Sequence, residues 1–144
     1  MQNKKAGIEE LVPLISEAVK NGTEIRLTPR GRSMLPFLCE RDIVVLSKPP
    51  KRLNKYDIAL YYRKNGDVYV MHRLINIKDG EYVFCGDNQC YPEQGVKDGD
   101  IIAVVSSAIR NEKETMRGMG YLLYCRTLFV RRFLKKVKLH LVRR

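Results

Sequence analysis

The chain has 144 residues, 44% of them hydrophobic, which is enough for one domain with a real core and excludes a largely disordered protein. No run approaches the ~20 apolar residues needed to span a bilayer, and the basic start Met1 to Lys5 lacks the uncharged apolar segment of a secretory signal. The net charge of +11 is unevenly placed: nine of those charges follow Thr115, where there is no Asp or Glu, leaving +2 for residues 1–115.

Residues 7–20 predict an amphipathic helix, with Ile8, Leu11, Val12, Ile15, Ala18 and Val19 at three- and four-residue spacing. Pro13 is tolerated only near a first turn, which moves the expected start towards Leu11, and Asn21-Gly22 is a suitable end. From Glu24 the pattern changes to strands. Ile25 and Leu27 alternate with charged residues and lead into Gly31-Arg32-Ser33-Met34-Leu35-Pro36. There glycine permits positive φ, and proline pushes Leu35 towards extended backbone.

Asp42 to Leu46 and Tyr56 to Tyr62 are two further β runs, and Arg63 to Asp67 is a hairpin turn. Val68 to Ile77 returns as a long strand with His72 in its middle. A two-residue period would put Val68, Val70, His72, Leu74 and Asn76 on one face. Tyr82 to Phe84 is a short strand, residues 86–100 are a polar loop, and Ile101 to Val105 is a buried strand. Short strands without βαβ alternation predict a mainly β protein, built as an antiparallel sheet or partly open barrel. The organisation expected is a domain over residues 1–115 and a basic tail over 116–144.

Four cysteines (Cys39, Cys85, Cys90 and Cys125) contain no C-x-x-C pair, and neither His72 nor His140 has ligand spacing to them. No metal or other cofactor is expected, and reduced thiols suit a cytoplasmic protein. A serine hydroxyl needs an adjacent base to become a nucleophile, and His72 is the histidine inside the folded part. The loop Gly86 to Glu93 offers Asp87, and less strongly Glu93, to orient that imidazole.

Four stretches in order carry a resemblance. Gly31 to Pro36 resembles the nucleophile box of type I signal peptidases and of the wider class of LexA-like serine peptidases. Tyr56-Asp57-Ile58-Ala59 is similar to that class's Gly-Asp-Ile-Val box, with tyrosine in place of glycine. His72-Arg73-Leu74-Ile75 resembles the general-base box in its His-Arg form, as in the endoplasmic-reticulum members. Cys85-Gly86-Asp87-Asn88 resembles the later Gly-Asp-Asn box. The resemblance implies coiled antiparallel sheets and a groove that takes extended peptides. It makes Ser33 the nucleophile, His72 the base and Asp87 the orienting acid, with Met34 and Pro36 beside the substrate. It implies an endopeptidase acting on peptide or protein substrates; the alternative is a non-catalytic peptide-binding module that keeps the fold.

The chain also departs from the class. Signal peptidases carry a transmembrane anchor where an amphipathic helix is expected here, and the DNA-binding domain of LexA-like relatives is not expected in the thirty residues before Gly31. The further acid of the endoplasmic-reticulum members corresponds only to the neighbourhood of Glu93.

Tyr121 to Arg144 predicts a basic helix with an apolar stripe of Val130, Leu134, Val137 and Leu141, widened by Phe129 and Phe133. An anionic membrane surface on the cytoplasmic side is the expected partner, with packing on the domain or on a second subunit as the alternative. Nucleic acid ranks below both, because no nucleic-acid-binding motif accompanies the charge.

Overall fold

The computed structural model describes residues 7–142, so the expectations for Met1 to Lys5, Arg143 and Arg144 fall outside the described residues. The first helix, α1, spans Ile8–Lys20 and buries Val12, Ile15 and Val19. It does not wait for Leu11. Pro13 sits on the exposed side, so the missing bond to the carbonyl four residues earlier is lost facing water, and Ile8 and Leu11 gain contact with the core.

Among the described residues eight strands follow: β1 (Ile25–Leu27), β2 (Ile43–Ser47), β3 (Ile58–Arg63), β4 (Val68–Lys78), β5 (Glu81–Cys85), β6 (Glu93–Val96), β7 (Ile101–Arg110) and β8 (Lys113–Glu114). They form one antiparallel sheet in the order β1-β2-β7-β3-β4-β5-β6, with β8 added to β7, and the sheet does not close on itself. β6 lies within the stretch expected to be loop, because its sequence Glu-Gln-Gly-Val has little apolar content to signal a strand. Asp79 and Gly80 both have positive φ and form the two-residue turn between β4 and β5.

Register shifts interrupt the pairing of β2, β3, β4 and β5, and such bulges bend and coil a sheet. Its two faces each bury a cluster. Val44, Leu46, Ile58, Leu60, Ala103 and Val105 meet α1 and the Met34–Leu38 turn on one side. Ala59, Tyr61, Leu74, Tyr82 and Phe84 form the other. β3 supplies both, which is why its apolar residues run continuously rather than alternating. The shift after Leu74 also corrects the expected face of β4: Ile77 packs on the second cluster and Asn76 is exposed.

The second helix, α2, spans Gly118–Val142. Cys125 and Leu128 are buried, and Tyr121 and Tyr124 pack against the first cluster. The apolar part of the docking is therefore made by the first three turns of the helix.

Candidate active site

Ser33 lies on a turn, not on extended backbone. Gly31 takes φ +87°, the Leu35 N–H donates to the Arg32 carbonyl (3.3 Å), and the Leu38 N–H to that of Met34 (2.9 Å). Met34, Phe37 and Leu38 turn inwards into the core and anchor the turn. Below the turn, buried Asp42 accepts two hydrogen bonds from Arg110 (2.6 and 2.7 Å) and one from the Cys39 N–H (2.9 Å). Burial works against the Asp42 charge, but these donors hold its carboxyl below the usual range. Arg110 also donates to the Phe37 carbonyl (2.9 Å), tying the turn to β7.

The Gly-Asp-Asn stretch grips the same turn from the other side. The Asn88 N–H donates to the Ser33 carbonyl (2.8 Å), and Asn88 Nδ2 donates to the Arg32 carbonyl (3.0 Å). Gly86 passes so close that a Cβ there would lie 2.5 Å from the Ser33 carbonyl oxygen.

Ser33 and His72 line one cleft of about 720 Å³, together with residues of α1, the Leu27–Gly31 segment and Met34. Ile8, Leu11, Leu60, Val70 and Met71 make much of its wall apolar. Pro36 is exposed and lies outside this lining, so of the two residues expected beside the substrate only Met34 borders the cleft. Among the described residues no hydrogen bond joins Ser33 to His72.

His72 is 2% exposed and pairs across the sheet with Ala59, which brings its ring diagonally onto Tyr61. Its Nδ1 lies 3.3 Å from the Tyr61 hydroxyl and 3.4 Å from Glu93 Oε1. Tyr61 has one proton, and its shorter contact, 2.6 Å to Glu93 Oε2, takes it. Both groups facing Nδ1 are then acceptors, so in the neutral imidazole Nδ1 carries the proton and Nε2 keeps its lone pair. Arg63 Nη1 donates to Glu93 Oε1 (3.0 Å) and completes the cluster.

Burial alone would raise the Glu93 carboxyl, but the hydrogen bonds of His72 and Tyr61, the His72 charge and Arg63 lower it from 4.5 to about 2. Burial and the Glu93 carboxylate push the Tyr61 phenol far above its ordinary value, so it acts only as a neutral donor.

Asp87 occupies a different place from the one expected. It forms a two-pronged, fully buried pair with Arg73, at 2.9 Å to Nε and 2.8 Å to Nη2, and accepts the Tyr124 hydroxyl at 3.0 Å. The carboxylate beside His72 is Glu93. The correction has a simple cause: His72 and Arg73 are neighbours on one strand and point to opposite faces. Asp87 follows Arg73 to one side, and Glu93, at the start of β6, reaches His72 on the other.

Arg73 ties its own stretch to Tyr56 and Asp87 in two of the others, and to Phe37 just beyond the Ser33 stretch. Its guanidinium stacks 4.7 Å from the Phe37 ring centre, donates to the Tyr56 carbonyl (3.2 Å) and to the Tyr121 hydroxyl (2.9 Å), and pairs with Asp87. Burial opposes its charge, yet Asp87 raises its pKa above the ordinary value. Tyr56, in the position where the box it resembles carries glycine, has φ +80°. Its N–H donates to the Leu74 carbonyl (2.8 Å), and the Leu74 N–H to the Asp57 carbonyl (2.7 Å).

Tyr61, Arg63 and Tyr124 were not anticipated. The signal for Tyr61 was available, since it alternates with Ala59 on a strand that pairs with the His72 strand. Among the described residues no group of three or more His, Cys, Asp or Glu is placed to hold a metal ion. No protein-family model matches the chain, and no curated protein matches it.

Proposed function

We propose that the chain is a serine endopeptidase of the signal peptidase-like class, with Ser33 as nucleophile, His72 as general base and Glu93, not Asp87, as the acid that orients the imidazole. The observation that carries this reading is the pairing of two facts: Ser33 and His72 border one cleft, and Glu93 and Tyr61 commit the His72 proton to Nδ1.

In the proposed reaction an extended peptide lies in the cleft along the Leu27–Gly31 segment, which continues from the edge strand β1. Nε2 of His72 takes the Ser33 hydroxyl proton as Oγ attacks the scissile carbonyl. The Ser33 N–H, which has no hydrogen-bond partner among the described residues, is the proposed donor to the oxyanion. His72 then gives its proton to the leaving amine, and Glu93 stabilises the imidazolium in between. Water, activated by the same nitrogen, hydrolyses the acyl-enzyme and restores Ser33. The proposed compartment is the cytoplasm, which suits the four free thiols.

A second reading is a peptide-binding module without turnover, favoured by the absence of a Ser33–His72 hydrogen bond among the described residues. Catalytic contacts commonly tighten only when substrate is bound, so the first reading is preferred. Labelling by a fluorophosphonate probe separates the two. The peptidase predicts a covalent adduct that Ser33→Ala and His72→Ala both abolish while circular dichroism shows a retained fold. A folded wild-type protein that binds peptide in the cleft and never labels would establish the module.

A further inference from the structure

We propose that the outward face of α2 lies flat on an anionic lipid surface. The helix presents two faces of different chemistry. The inward face docks on the domain through Tyr121, Tyr124, Cys125 and Leu128, and lower down through Arg132 and Lys135, which donate to the Cys85 and Asn88 carbonyls. The apolar stripe is therefore not what holds the helix to its own domain.

Leu123, Val130, Phe133, Leu134, Val137 and Leu141 stand on the opposite side, each between 42% and 70% exposed. Their spacing keeps them on one side over about five turns of helix. A continuous apolar row of that length is unusual on a surface facing only water.

Charge decides the occupant. α2 contains no acidic residue, and Arg126, Arg131, Lys136 and Lys138 are all exposed around the apolar row. Two copies meeting face to face would bring these cations together with no carboxylate in either helix to offset them. An anionic bilayer supplies both complements, since acyl chains receive the apolar row while the Lys and Arg stems reach up to the phosphates. The same charges exclude a spanning role, and among the described residues no helix is long and apolar enough to cross a membrane.

Vesicle sedimentation of the full chain tests this without reference to any activity. The protein is expected to sediment with vesicles of phosphatidylglycerol mixed with phosphatidylcholine and to stay in solution with phosphatidylcholine alone. Raised salt should weaken the binding, because it screens the charges. Phe133→Asp combined with Val137→Asp should reduce binding at least tenfold, and Lys138→Gln about fivefold, all three side chains being exposed so that the fold is kept. Folded protein that ignores phosphatidylglycerol vesicles would overturn the proposal. So would binding that the Phe133→Asp/Val137→Asp variant leaves unchanged. A concentration-dependent dimer in sedimentation velocity, dissolved by that variant, would assign the face to a second copy instead.

Discussion

Glu93 Oε1 lies 3.4 Å from His72 Nδ1, while its other oxygen takes the Tyr61 hydroxyl at 2.6 Å. The carboxylate thus holds the imidazole directly and also takes the proton of the phenol beside it. With Nδ1 committed to these acceptors, the lone pair is left to Nε2, the nitrogen a serine in the cleft requires. Asp87, 14 residues from Arg73 along the chain, spends both oxygens on that arginine.

The two acids therefore predict different failures. Glu93→Gln should lower the rate of fluorophosphonate labelling at Ser33 at least tenfold, because the amide no longer favours the charged imidazolium, with the protein still folded. Asp87→Ala strands a buried guanidinium and should cost about 3–5 kcal/mol of stability, read as a fall in the urea midpoint. An Asp87→Ala protein that keeps its midpoint and loses labelling would return the orienting role to Asp87.

Acid should act through Glu93. Its carboxyl titrates at about 2 in the folded chain, against an ordinary 4.5, so its contribution is fully present above 4.5. As pH falls, the unfolded chain binds the proton first, and the contribution is lost between 4.5 and about 2. The span corresponds to roughly 3 kcal/mol at most. Urea midpoints of wild type and Glu93→Gln should therefore converge across that acid range and separate above it. A constant difference at every pH would show that Glu93 contributes by packing alone.

Tyr56 predicts a stabilising substitution. At φ +80° a side chain costs about 1–2 kcal/mol, and glycine avoids that cost while giving up about 0.5–1 kcal/mol in unfolded-state freedom. Tyr56→Gly should leave the melting temperature unchanged or raise it by a few degrees. Tyr56→Val, branched at Cβ in the same conformation, should lower it clearly. The flanking bonds to Leu74 and Arg73 fix the backbone there, so neither variant can escape by relaxing the turn.

Much of this arrangement was legible in the residues because it rests on local pattern. The period of Val70, His72 and Leu74 put the imidazole on a buried face, and Gly31 marked a turn that does take positive φ. What could not be read was which acid crosses to which side. Asp87 and Glu93 are six residues apart in one polar stretch, and their separation depends on β6 pairing with β5 through Phe84–Glu93, a four-residue strand with no apolar run to announce it. The phase change after Leu74 was hidden for a similar reason, since a bulge is a property of two paired strands and not of either alone. Likewise the stripe on α2 was visible, but its outward direction follows from Tyr121, Tyr124 and Arg132 finding buried polar partners on the domain.

Gly86 offers the most direct test of how the Gly-Asp-Asn loop positions Ser33. Its φ is not one of the positive values, so the need for glycine here is spatial and not conformational. A methyl group would sit 2.5 Å from the Ser33 carbonyl oxygen and 2.9 Å from Gln89 Oε1. The glutamine can swing away, but the carbonyl is held by the Asn88 N–H at 2.8 Å and belongs to the turn itself. Gly86→Ala should therefore push the Ser33 turn away from the loop, at about 1–3 kcal/mol by the cost typical of overpacking, and reduce labelling by tenfold or more. Gly99→Ala is the matching control, since nothing lies within 4 Å of its added Cβ, and it should change stability by less than about 0.5 kcal/mol. If Gly86→Ala labels as fast as wild type, the loop does not set the position of Ser33. A stability loss without a change in labelling would confine its role to holding the fold.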